Sequence, residues 1–212
     1  VETKQIERLG QSWEWPADDT KLLQVFDYVE DIDTIMEHVP QNRRVLCIQA
    51  GGACGVWPWR FSQFFRNVYT FEPEPGNYVA LMANAGRRVN VTPFNAALGN
   101  TTTRRAMQLD DCEAGNCGAY YTVEDPAGGV RALTIDSLDL RACDLIQLDI
   151  EGAEFEALQG AMRTLKRFRP VVVIEEKDLP HRSMAENPAR ELLEVMGYTE
   201  CAKVHRDVVF RC

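Results

Sequence analysis

No apolar run in the chain approaches the ~18 residues that a membrane-spanning helix needs, so no membrane role is expected. The seven cysteines are odd in number and lack CxxC or Cys/His metal-binding spacing. That usage points to a reducing compartment rather than to a disulfide framework. Basic charge is also in short supply, with 23 Lys and Arg against 32 Asp and Glu, a net charge of -9. A duplex nucleic acid partner would need a strong local basic patch to overcome that field. The basic clusters Arg43-Arg44, Arg87-Arg88, Arg104-Arg105 and Lys166 to Arg169 are small and scattered, and read as solvated surface. Repeats and low-complexity segments are absent. The N-terminal VETKQIERLG is charged and does not read as a signal peptide. A cytoplasmic protein with no nucleic-acid partner is the expectation.

What is present is an ordinary globular composition, 45% hydrophobic and 26% charged over 212 residues, enough for one well-cored domain. Residues 1–40 read as an N-terminal extension and helix, and 41–212 as the main domain. Apolar residues Leu22, Phe26, Val29 and Met36 recur at helical spacing, which predicts a helix over Asp19 to His38, closed by Pro40. Strands are predicted at Val45 to Ile48, Val68 to Phe71, Val89 to Asn95, Leu145 to Asp149 and Val171 to Ile174. Helices are predicted after the first strand through Phe65, over Asn77 to Ala85, and along Phe155, Leu158, Met162 and Leu165. Asn187-Pro188 forms an N-cap and N1 pair for a last helix, stopped by Gly197. Tyr198 to Lys203 and Val208 to Phe210 could form a terminal hairpin. Residues 99–131 have little periodicity and read as an insert. WEWP at 13–16 and WPW at 57–59 read as core or hinge packing, with a pocket wall or lid as the alternative.

Strands alternating with helices predict an open α/β sheet, mostly parallel and covered on both faces. Such sheets bind ligands beyond the carboxyl ends of their strands. At the first strand end, Gly51, Gly52 and Gly55 with Ala50 and Ala53 leave the backbone open to a ligand, and positions 50, 52 and 55 fit a degraded A-x-G-x-x-G fingerprint. At the second, FEPEP places Glu72 about 20 residues beyond Gly51, where a carboxylate can accept both hydroxyls of a ribose. These two features indicate an adenosine-type ligand without separating NAD from S-adenosylmethionine. The fourth strand end puts Asp149, Glu151 and Glu154 in one acidic turn. That charge suits a sulfonium cofactor and a hydroxyl substrate, although a helix N-terminus by itself also favours Glu151 and Glu154.

In order, IQAGGACG, TFEPEP, NAALGN, LTIDSL and DLIQLDIEGAEFEAL resemble the FkbM-type methyltransferases, class I enzymes dependent on S-adenosylmethionine. The resemblance spans about Val45 to Glu176. It implies a Rossmann-like, seven-stranded sheet whose last strand runs antiparallel in a C-terminal hairpin. It also implies O-methylation of a hydroxyl on a sugar or other small metabolite. By position, the loop carrying Gln49, Gly51, Gly52 and Gly55 would face the methionine and ribose portions of the cofactor. Glu72 would hold the ribose, Asn95 would sit near the adenine edge, and Asp149 and Glu151 would face the reacting centre. Glu175 would lie on the substrate side.

Two departures stand out. The family loop usually begins with Asp and contains Asn, where this chain has Gln49 and Ala53, and Gln147 replaces a commonly basic residue. An inactive interaction domain, or an NAD-dependent oxidoreductase, is therefore carried as an alternative. For proton removal, Asp149 ranks first, with Glu151 and His181 of the EEKDLPHR loop behind it. Clustered carboxylates at Asp149 with Glu175 or Glu176 would suit Mg²⁺, but no metal-specific spacing supports one and no metal is assigned. The insert is the expected seat of acceptor specificity.

Overall fold

The computed structural model describes residues 2–109, 115–177 and 187–212. The chain opens with an antiparallel hairpin, β1 (Thr3–Arg8) and β2 (Gln11–Pro16), that the sequence reading left without structure. Its turn residues Leu9 and Gly10 both have positive φ, at 50° and 71°, the twist that suits a two-residue hairpin loop. Trp13 and Trp15 point inward and are fully buried, with Trp13 edge-on to Phe26 and to Trp59.

The helix predicted over Asp19 to His38 is instead two shorter pieces. A 3-10 turn spans Leu22–Asp27, and α1 spans Asp31–Glu37. Asp19 is the reason the first piece starts where it does. Its carboxylate accepts from Trp15 Nε1 at 2.8 Å and from the Leu22 N–H at 3.1 Å, anchoring the turn to the hairpin. Apolar residues at helical spacing thus line one face across a break.

Regular alternation follows, through β3 (Leu46–Ala50), α2 (Val56–Phe61), β4 (Asn67–Phe71), α3 (Pro75–Asn84) and β5 (Val91–Phe94). The segment 97–133 then builds a small second sheet from β6 (Ala97–Leu98), β7 (Thr103–Leu109), β8 (Tyr120–Glu124) and β9 (Val130–Leu133), ordered β6-β9-β7-β8. The main chain of the fold resumes with β10 (Leu145–Leu148), α4 (Glu154–Gln159), α5 (Met162–Phe168), β11 (Val171–Glu175), α6 (Pro188–Val195), β12 (Thr199–Val204) and β13 (Asp207–Arg211). One helix was expected where α4 and α5 stand. Gly160 lies so close to the Gly99 carbonyl that a Cβ there would fall 2.1 Å from it, and Asp136 caps the new start by accepting from the N–H groups of Arg163 and Thr164.

The central sheet has seven strands in the order β12-β13-β11-β10-β3-β4-β5. Strands β5, β4, β3, β10 and β11 are parallel, and β13 runs antiparallel to both β11 and β12. Both faces are covered, which is why β3 and β10 are buried at every position. Leu46, Ile48, Ile146, Leu148 and Ile174 pack with α4 to α6, while Cys47, Leu145, Val173 and Val209 pack with the tryptophans and α1. From β3 the chain moves outward through β4 to β5, then crosses back to β10 on the other side. The crevice between the β3 and β10 ends is therefore a topological switch point. Among the described residues, no helix is long and apolar enough to cross a membrane.

Candidate active site

A cavity of about 760 Å³ opens at that switch point. Its wall brings together Gln49, Gly51, Gly52, Glu72, Asp149 and Glu151 from the sequence reading. Gly55 and Asn95 lie outside the lining, and His181 falls outside the described residues.

The glycine loop is shaped first by its protein neighbours. Gly51 has φ +81°, and a Cβ there would sit 1.8 Å from the Asp149 carbonyl, so only glycine lets the ends of β3 and β10 meet. Gly55, at φ +92°, precedes α2 and lies against Leu81 of α3 and Ala85 just past its end. The N–H groups of Gly51 and Gly52 both donate to the Phe71 carbonyl, which ties the loop to β4.

Gln49 answers the question its position raises. It is 1% exposed, and its amide donates to the carbonyls of Ala50 (3.2 Å) and Gly51 (3.0 Å) while accepting from Thr70 Oγ1. An aspartate here could not donate to those carbonyls. Gln49 thus braces the loop from beneath. We expect Gln49→Leu to lower stability by about 1–3 kcal/mol, measured as a fall in Tm, because buried polar partners lose their bonds.

Glu72 directly follows β4 and is 5% exposed. One carboxylate oxygen accepts from the Ala53 N–H at 2.7 Å, and the other from the Glu74 N–H at 2.8 Å. Burial pushes its pKa up to about 7, against the pull of those two bonds. Glu74 caps α3 through the Asn77 N–H, and Pro75 occupies the first turn. Asn95 is exposed, and its amide donates to the carbonyls of Glu72 and Pro73, so it braces the FEPEP turn from outside the cavity. Asn77 was not anticipated. It is 2% exposed and lines the cavity, and its Oδ1 has no partner among the described residues.

Across the cavity, Asp149, Glu151 and Glu175 each present an oxygen within 4.8 Å of the others. Lys177, also unanticipated, lies 2.8 Å from Glu151 Oε1 and 2.7 Å from Glu175 Oε2. Burial and the Asp149 charge push Glu151 and Glu175 up, with Lys177 opposing. Burial would lower Lys177, but the three carboxylates outweigh it and hold the ammonium charged. Asp207, at the start of β13, is pushed up to about 8 by burial and by the charges of Asp149 and Asp31. The turn before β13 adds His205, whose Nδ1 lies 2.6 Å from Asp31 Oδ2.

These raised carboxyls fix the sign of a pH effect. Asp207 rises from 3.8 to about 8 and Glu72 from 4.5 to about 7. The folded state therefore holds protons that the unfolded chain releases, and their contribution, complete below about pH 4, is lost as pH rises through 7 and 8. The Tm of the ligand-free protein is expected to fall between about pH 5 and pH 9, with a shallower slope in Asp207→Asn. A flat profile in the unmutated protein would contradict these environments.

The sequence matches the methyltransferase FkbM domain family over residues 61–202, well over half the chain. The match begins just past the glycine loop and includes Glu72, Asp149, Glu151 and Lys177. No curated protein matches the chain. Among solved structures, methyltransferase FkbM from Methylobacillus flagellatus KT is similar at 16% identity and a TM-score of 0.56, over 92% of this chain and 55% of that one. Trm5b from Pyrococcus abyssi aligns at 11% identity and a TM-score of 0.54, over 99% and 55%. Precorrin-6y C5,15-methyltransferase from Geobacter metallireducens GS-15 aligns at 16% and 0.53, over 90% and 89%. At such identities the likeness shows the fold, and the chain spans just over half the length of the first two. The seven-stranded sheet and the family match agree: the chain belongs to the FkbM methyltransferase domain family, and its cofactor is S-adenosylmethionine.

Proposed function

We propose that the protein methylates a hydroxyl of a sugar or other small metabolite. The observation that carries this reading is one cavity with Glu72 on one wall and the Asp149, Glu151 and Glu175 carboxylates on the other.

The residues fit the cofactor. Gly51 and Gly52 line the cavity, and having no side chain lets them pack against the Asp149 carbonyl and Thr70 on their protein side. Glu72 keeps lone pairs for a ribose diol after accepting its two backbone bonds, and the buried Asn77 Oδ1 is an acceptor in want of a donor. When bound, S-adenosylmethionine supplies a methyl group on a positively charged sulfur. Asp149 lies across the cavity, where a carboxylate favours that charge and can accept the acceptor's hydroxyl proton. Glu72 and the glycine loop would hold the cofactor as its methyl passes to the acceptor oxygen and the electron pair stays on sulfur, leaving a neutral thioether. The hydroxyl proton passes to Asp149. Much of the rate then comes from holding oxygen and methyl in line.

The test is transfer of labelled methyl from S-adenosylmethionine to a panel of methyl glycosides and inositols, with matching amines and thiols alongside. Labelled methyl ethers are the expected product. Label appearing only on the amines would overturn hydroxyl methylation.

A further inference from the structure

The carboxylate group described above has a cation in it already. Asp149, Glu151 and Glu175 converge from the end of β10, the loop after it, and the end of β11, with oxygens as close as ligands around one ion. Into that convergence comes the Lys177 ammonium, at 2.8 Å from Glu151 and 2.7 Å from Glu175. Arg206 also lines the cavity but is the weaker partner, 3.9 Å from Glu175 and with a largely exposed side chain. Lys177 is 20% exposed at its side chain and lines the cavity.

An ammonium has three N–H donors and no acceptor. Glu151 and Glu175 take two of them. Among the described residues the third N–H has no partner, and Lys177 lines the cavity. Two further groups point the same way. Gln147 is 1% exposed, lines the cavity on the same side of β10 as Asp149, and among the described residues neither its Oε1 nor the buried Asp207 Oδ1 has a donor. Among the described residues, the cavity lining thus offers one open donor and two open acceptors, the complement of a hydroxyl and its neighbours.

Resting on the hydroxyl-acceptor reading above, we propose that Lys177 fills a divalent-cation seat built by Asp149, Glu151 and Glu175, and that its third N–H holds the acceptor oxygen while Asp149 takes the proton. Lys177 is then an acceptor-binding residue. It does in this chain what a metal ion does where carboxylates hold one: it fixes an oxygen and favours the negative charge that develops there. The ammonium is a compact point charge, so arginine, with its planar fork, does not replace it.

The experiment compares Mn²⁺ binding, by electron paramagnetic resonance, in the unmutated protein, in Lys177→Ser and in Lys177→Ser/Glu175→Gln. Emptying the seat should raise Mn²⁺ affinity at least tenfold, and the double variant should lose that gain. In parallel, methyl transfer by the unmutated protein should ignore EDTA. Transfer by Lys177→Ser should fall about 100-fold and recover in part with Mg²⁺ or Mn²⁺, while Lys177→Arg stays low. Tight Mn²⁺ binding by the unmutated protein, loss of its activity in EDTA, or no gain of affinity in Lys177→Ser would each overturn the proposal. Calorimetric affinity for S-adenosylhomocysteine separates the two readings. A protein that binds no cofactor defeats the methyltransferase reading, whereas the Mn²⁺ result still decides the seat.

Discussion

Asp149→Asn is expected to lower methyl transfer by about 10²- to 10⁴-fold, the usual share of a general base, with a much smaller loss of affinity for S-adenosylmethionine and little change for the neutral S-adenosylhomocysteine. The substitution keeps the size and hydrogen-bonding reach of the side chain and removes only its charge and basicity. The glycine loop should be undisturbed, because Gly51 packs on the Asp149 carbonyl and the Asp149 N–H bonds the Ala50 carbonyl, both backbone contacts. Measuring kcat together with calorimetric affinity separates the cases. A loss of transfer equal to a loss of binding would mean that Asp149 acts on the cofactor alone. An unchanged kcat would remove it from the mechanism and turn attention to Glu151 and to the His205–Asp31 pair.

Glu72→Ala carries the second large effect, a fall of about 100-fold or more in affinity for S-adenosylmethionine and S-adenosylhomocysteine alike. Hydrogen bonds to a charged group contribute about 1.5–3 kcal/mol each, and a ribose diol would make two. The substitution also leaves the Ala53 and Glu74 N–H groups without their acceptor, so the loop loosens as the ribose contact disappears. Glu72→Gln should fall between, since it keeps one acceptor oxygen but turns an NH₂ toward a backbone N–H. Equal losses for the charged and the neutral cofactor would place the effect at the ribose. A loss confined to S-adenosylmethionine would place Glu72 at the sulfonium instead.

Local patterns made much of this fold legible. The apolar runs of β3, β10 and β11, the glycine loop and the Asn187-Pro188 cap are written in short stretches of sequence. The cap works as expected, with the Asn187 side chain accepting from the Arg190 N–H. The N-terminal hairpin was missed although Trp13 and Trp15 alternate as inward residues of a strand do, because one such pair beside charged neighbours is a weak signal. The break between α4 and α5 depends on Gly99 and Asp136, both remote in sequence, and no local pattern reports it.

The site divides in the same way. Glu72 and Asp149 were visible because each directly follows a strand inside a spaced motif. Lys177, Asp207, Asp31 and His205 enter the cavity only because β11, β13 and α1 meet there, and sequence spacing does not encode that meeting. Lys177 had one local clue, a cation two residues beyond Glu175 at the exit of a buried strand. Gln49 departs from the family's aspartate, and no local pattern reports that its buried amide braces the loop by donating to the Ala50 and Gly51 carbonyls.

The most direct measurement is parallel calorimetric titration of the protein with S-adenosylmethionine, S-adenosylhomocysteine and NADH. Saturable binding of both sulfur compounds is expected, lost together in Glu72→Ala, with no heat from NADH. Binding of NADH, or no binding of either sulfur compound to the unmutated protein, would contradict that expectation.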